Sequence, residues 1–294
     1  MKAGWFVAVL VLAVLLASAV ACGGGGGESG PADEVADAAV AAYADLDTYQ
    51  FDMDMTVEMH VTAADGTVES TLMVSMSGAS DRANERKYTS MQISTDPTSN
   101  MEGCVELYYI GDQVYMKTSN PGEPPTWLKW GVCLSCGAGE KLDVVGRQMD
   151  LLKDPADVEI IDNDTVDATE CYVLEVKPDP EKLWEWVKDQ IALENQLPTL
   201  SVDIEDVITD FAIDQWIAKD THLLIKSTLD MTLTFSSYIS CPSCGLIPVL
   251  PGESSRTYGI TATLMLYDVN QPVSIELPPE AEDAEEIDFA VPVL

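Results

Sequence analysis

Positive charge is scarce in this chain. Its 294 residues hold 15 Lys and Arg against 50 Asp and Glu, a formal net charge of −35. Such a surface repels phosphate backbones, which excludes nucleic-acid binding as a function class. It also repels an anionic bilayer, so any membrane contact has to run through something other than the protein surface. Histidine is nearly absent: His60 and His222 are too few for a His-rich metal site. No glycine-rich phosphate loop, Gly-x-Ser-x-Gly elbow or His-Glu-x-x-His motif occurs. No nucleophile and base form a recognisable set, so the expected activity is not enzymatic and requires no cofactor.

The apolar run over residues 5–16 is shorter than the ~20 residues that a spanning helix needs. Lys2 precedes it, and small residues, Ala17-Ser18-Ala19-Val20-Ala21, follow it. A positive start, a short apolar core and a small-residue site read as a secretory signal over residues 1–21. Ala19-Val20-Ala21-Cys22 resembles the bacterial lipobox, with Ala19 where that pattern most often has Leu. The resemblance implies that Cys22 is acylated and becomes the first mature residue. Gly23 to Gly27 then read as a flexible tether within residues 22–31. The expected location is the cell envelope of a bacterium, anchored by lipid to the extracytoplasmic side of the membrane. Several acyl chains hold firmly where one binds only marginally. The plainer alternative is a secreted protein cut near Ala21 with Cys22 unmodified.

An apolar content of 47% is enough to build a core. Apolar residues at helical spacing predict a helix over 32–46, with acidic residues in its first turn where they suit the helix dipole. The period then changes to two. Tyr49, Phe51, Met53, Met55, Val57, Met59 and Val61 alternate with polar residues, which predicts a long half-buried strand. Further strands are expected over 68–76, 86–94, 105–110, 114–117, 158–161, 169–177, at the end of 207–218, and over 223–236 and 258–267. Turns are expected at 64–66, 111–112, 162–164 and 219–220. Residues 121–130 read as a Pro-rich loop ending in Trp127 and Trp130. Helices are expected over 142–152 and 180–193, the second with Pro at its start. Residues 276–294 read as an acidic C-terminal tail. The order implies an α+β fold, with a large antiparallel sheet and helices on one face.

Several stretches together resemble a known family. They are Leu46-Asp47-Thr48-Tyr49-Gln50-Phe51-Asp52-Met53, then Tyr109-Ile110-Gly111-Asp112-Gln113-Val114-Tyr115-Met116-Lys117 followed by Trp127-Leu128-Lys129. Later come Tyr172-Val173-Leu174-Glu175-Val176 and the run from Trp216 to Lys226. Their order and character resemble the LolA/LolB/LppX-like superfamily of bacterial envelope lipoproteins, over residues 32–275. The resemblance implies a curved antiparallel sheet, an incomplete barrel whose apolar concave face is covered by helices. It also implies a cavity that holds lipid acyl chains, and a role as a lipid or lipoprotein carrier. Methionines on the alternating strands suit an adaptable apolar surface. Phe51, Met53, Met55, Met73, Met76, Met116, Trp127 and Met231 are the candidate cavity-lining residues. The alternatives are an interaction or sensor module with a filled core, meeting an envelope protein partner, or a metal-handling lipoprotein.

The sharpest local signal is a pair of Cys-x-x-Cys-Gly turns, Cys133-Leu134-Ser135-Cys136-Gly137 and Cys241-Pro242-Ser243-Cys244-Gly245. Four thiolates so spaced make a closed, structural zinc site. An exported chain equally well forms two disulfides from them. Both readings stand, and both make Cys133, Cys136, Cys241 and Cys244 a staple between two loops. Cys104 and Cys171 sit on separate predicted strands, as a third disulfide or as buried thiols.

Overall fold

The computed structural model describes residues 30–63, 66–95, 102–119, 121–131, 143–153, 155–178, 208–236 and 253–287. Cys22, the two Cys-x-x-Cys turns and the helix expected over 180–193 lie outside them. Among the described residues no helix is long and apolar enough to cross a membrane.

Helix α1 (Pro31–Ala44) begins with proline at its first position, where the missing N–H is not needed. The Asp33 carboxylate accepts the Gly30 N–H at 2.6 Å, which is one half of a capping box. Helix α2 is Val144–Lys153. Twelve strands follow period-two patterning: β1 (Thr48–Ala63), β2 (Gly66–Asp81), β3 (Arg86–Thr95), β4 (Glu102–Ile110), β5 (Gln113–Ser119), β6 (Thr126–Gly131), β7 (Pro155–Val166), β8 (Thr169–Pro178), β9 (Ile208–Ala218), β10 (Leu224–Ser236), β11 (Glu253–Tyr267) and β12 (Glu285–Glu286). They form one sheet in the order β12-β6-β5-β4-β3-β2-β1-β11-β10-β9-β8-β7. The order has two ends, so the sheet is open. The pairs from β2 through β6 and from β7 through β10 are antiparallel. β12 joins β6 in parallel.

The chain divides into two compact units. Unit 1 is Met1–Ala44, Thr56–Thr71 and Lys141–Thr263; unit 2 is Asp45–Met55, Leu72–Glu140 and Leu264–Leu294. Strands β1, β2 and β11 each run from one unit into the other. In unit 1, α1 packs on α2 and β7, and α2 on β8. Buried Val145, Met149 and Leu152 of α2 belong to the same core as Leu174, Val176, Ile213 and Ile217 of β8 and β9. In unit 2, the core runs over β1–β6 and includes Tyr49, Phe51, Val74, Ile93, Val105 and Val114. Unit 2 holds no α-helix among the described residues.

Three sequence expectations need correcting. Residues 126–131 are strand β6, not loop: Thr, Trp and Leu fit a pleated surface, and the whole strand pairs with β5. The turn between β7 and β8 is Asp167-Ala168, both at positive φ (46° and 67°), not residues 162–164. Those lie in β7 beside a register shift between Ile160 and Asp162. The segment from Pro278 to Ile287 is also built into the fold. It forms a 3-10 turn, Pro279–Asp283, then β12. Ala281 and Ala284 are buried, and the Ile287 N–H donates to the Lys129 carbonyl at 2.9 Å.

Candidate functional site

Alternation along each strand sorts unit 2 into two faces. On the apolar face Met76 of β2 is the register partner of Met91 of β3, Met91 of Val105, and Val74 of Ile93. Leu107, Met116 and Leu128 line up across β4, β5 and β6, as do Tyr109, Val114 and Trp130. Phe51 belongs to this face. A Cβ built on Gly78 would stand 2.5 Å from the Phe51 ring and 2.6 Å from the Tyr88 carbonyl. Only glycine allows β2 that close to the ring. Met53, Met55, Met76 and Met91 are all 4% exposed or less.

Two expected lining residues fall on the wrong face. Met73 is 47% exposed, because its register partner is Ser94 and its strand neighbours Leu72 and Val74 point inward. Trp127 pairs with Lys117, on the face opposite Met116. Trp127 and Trp130 differ by an odd number of residues in one strand, so only one of them can face the apolar side, and it is Trp130.

The second face of unit 2 carries a cluster that patterning did not single out. Lys117 Nζ lies 2.7 Å from Glu106 Oε1, and the Tyr108 hydroxyl donates to Glu106 Oε2 at 3.1 Å. The Tyr88 and Tyr108 rings are 4.8 Å apart, Tyr108 and Trp127 5.9 Å, and Lys117 stands 5.8 Å over Trp127. Burial, and then the neighbouring Glu106 charge, push the Tyr108 hydroxyl well above its ordinary pKa. The hydrogen bond to Glu106 raises the Lys117 ammonium in the same direction. Both effects hold the cluster in one protonation state, a structural ion pair.

Unit 1 presents its own buried face. Phe211, Ile213, Gln215 and Ile217 of β9 share it with Leu174 and Val176 of β8 and with Ser227, Leu229 and Met231 of β10. Met231 is buried there. Gln215 and Ser227 are register partners. Gln215 Nε2 donates to the Gln148 carbonyl of α2, and Ser227 Oγ donates to Gln148 Oε1, each at 3.2 Å. The sequence did carry a signal for this trio: Gln215 occupies an inward position between Ile213 and Ile217.

On the other face of unit 1, the Trp216 indole N–H donates to Asp164 Oδ2 at 2.9 Å, and Lys226 stands 4.2 Å over the Trp216 ring. The Trp216 bond, and then the Thr165 N–H, hold the Asp164 carboxyl below the usual carboxylate value. Burial, and then Glu175, raise Asp214.

Cys104 lies half-buried on β4 in unit 2, and Cys171 is buried on β8 in unit 1. Both are free thiols, and the bridge considered between them is not made. Burial raises the Cys171 thiol, which keeps it protonated and unreactive. His60 faces Glu69 at 3.4 Å on the surface. Among the described residues no group of three or more His, Cys, Asp or Glu is placed to hold a metal ion.

These features define a protein of open, nearly all-antiparallel sheet with apolar buried faces. By its family model, residues 31–240, the chain belongs to the family of unknown function DUF6612. No curated protein matches it in sequence. In structure it is similar to LprF from Mycobacterium bovis, at 13% identity and a TM-score of 0.44, covering 86% of this chain and 99% of that one. It is also similar to the lipoprotein LppX from Mycobacterium tuberculosis, at 14% identity and 0.40, covering 84% and 100%. A DUF1329 family protein from Desulfovibrio piger matches at 13% identity and 0.29, covering 84% and 96%.

Proposed function

We propose that this chain is a non-enzymatic envelope lipoprotein, tethered through Cys22, that holds the acyl chains of a lipid on an apolar face of its sheet. The observation that carries the reading is the methionine-rich face of β1–β3. Unbranched, polarizable side chains adapt to a flexible ligand where branched ones would fix a single shape. Each methylene buried there contributes about 0.8 kcal/mol, so one long acyl chain supplies ample driving force without any covalent chemistry. The test is titration of the full-length protein with a fluorescent long-chain acyl probe. Saturable binding that an unlabelled lipid displaces is expected, and a probe that stays in solution overturns the reading. Labelled palmitate incorporated by the wild type and lost in Cys22→Ala tests the anchor.

A second reading is favoured by depth of burial: the same methionines are closed off as thoroughly as an ordinary core. It makes the protein an interaction module whose surface meets an envelope partner, and it predicts no probe binding.

Cys133, Cys136, Cys241 and Cys244 are proposed as a staple, by a zinc ion or by two disulfides. Intact mass decides between them. Each bridge removes about two mass units, and a zinc ion adds roughly 63 that acid removes.

A further inference from the structure

Gln215 is 0% exposed and sits in an apolar setting, among Leu174, Ile213, Ile217 and Leu224. Its amide orientation is fixed, because only Nε2 can donate to the Gln148 carbonyl. That leaves Oε1 buried with no hydrogen-bond donor among the described residues. A buried acceptor without a donor is costly and rare in native proteins, so Oε1 is suited to receive one. Beside it, the Ser227 hydroxyl has already given its proton to Gln148 Oε1 and keeps lone pairs free. The trio therefore offers acceptors, and what it lacks is a donor.

We propose that Gln215 and Ser227 form the polar subsite for a lipid held in unit 1, accepting hydrogen bonds from a hydroxyl or amide N–H on an otherwise uncharged head group. The inference rests on the reading that the chain binds a lipid, and it concerns the buried face of β8–β10 in unit 1 rather than the face of β1–β3. A carboxylate or phosphodiester is acceptor-only at neutral pH and meets Oε1 as a like dipole. The chain's charge of −35 acts in the same direction. Helix α2 closes over the subsite through the Gln148 bonds, so entry requires α2 to lift.

The experiment uses three probes with the same chain: 1-monooleoylglycerol, methyl oleate and oleate. Each is titrated at pH 8 against the full-length protein by displacement of the fluorescent acyl probe. Monooleoylglycerol is expected to bind about tenfold more tightly than methyl oleate, the worth of roughly one buried hydrogen bond, and oleate to bind no better than methyl oleate. Gln215→Met is expected to remove the preference for monooleoylglycerol over methyl oleate. Ser227→Ala, a smaller change, serves the same purpose should Gln215→Met not fold. Equal binding of the two neutral probes to the wild type overturns the subsite and leaves the lipid reading standing. So does a preference that survives in the folded variants. Binding of none of the three overturns both.

Discussion

Met76 and Met91 stand directly opposite one another in the β2–β3 ladder, 4% and 1% exposed, at the centre of the unit 2 apolar face. Truncating either to Ala removes a packed side chain and leaves a cavity, at an expected cost of about 2–5 kcal/mol. Because the two are cross-strand neighbours, the double variant is expected to depart from additivity by roughly 0.5 kcal/mol or more. Leucine at either position is expected to cost under about 1.5 kcal/mol. Urea unfolding of the five variants checks all three statements.

Gly78→Ala places a methyl group 2.5 Å from Phe51 and 2.6 Å from the Tyr88 carbonyl. The ring can shift, but the carbonyl belongs to the neighbouring strand. Overpacking of this kind is expected to destabilise by about 1–3 kcal/mol. Phe51→Leu added to it is expected to recover only part of that. Full recovery would mean that the ring alone sets the clash.

Glu106 bonds both Lys117 and Tyr108 on the opposite face of unit 2. Glu106→Gln is expected to cost about 1–2 kcal/mol, since it breaks a charge-assisted bond to a part-buried ammonium. Lys117→Met alone is expected to cost a comparable amount, and the double variant less than the sum. A thermal-melt cycle measures the coupling.

Asp214 and Asp164 predict opposite pH behaviour in unit 1. Asp214 holds its proton more tightly in the fold than in the open chain, through burial and Glu175. Its favourable contribution is present below the ordinary carboxylate value and is lost as pH rises through the raised one. Asp214→Asn is therefore expected to raise the unfolding midpoint at pH 7 and not at pH 3. Asp164 is lowered by the Trp216 bond, so its contribution is present at neutral pH and is lost only as pH falls through its depressed value. The Trp216 indole N–H resonance in NMR is expected to keep its hydrogen-bonded shift at pH 4.

Residues 279–287 bury Ala281 and Ala284 and pair with Leu128 and Lys129 of β6. A chain ending at Pro278 leaves the β6 edge open. Faster amide exchange at residues 126–131 is expected, together with a greater tendency to self-associate. Unchanged exchange there would mean that the segment contributes nothing to the edge.

Period-two patterning exposed much of the sheet, since β1, β3 and β10 each carry one main apolar parity. It failed where two signals competed. Asp162, Asn163 and Asp164 carry turn chemistry, yet pairing with β8 keeps them extended and leaves the reversal to Asp167-Ala168. Pro121 and the two prolines before Thr126 hid β6, and with it the parity that separates Trp127 from Trp130. Met73 shows that a methionine on a strand is not by itself a lining residue: phase decides, and Leu72, Val74 and Met76 already set the phase of β2. The acidic residues at 280–286 hid a docked segment, because Ala281 and Ala284 carry its packing. Gln215 is legible as an inward polar position between Ile213 and Ile217, but its partner Gln148 is not, because local patterning reads positions and not what crosses between elements.

The most direct test of lipid binding is native mass spectrometry of tag-free protein purified from a bacterial envelope, before and after incubation with 1-monooleoylglycerol and then after denaturation. The account predicts a lipid-sized mass retained by the folded chain and released when it unfolds. An unliganded mass both before and after incubation would contradict it.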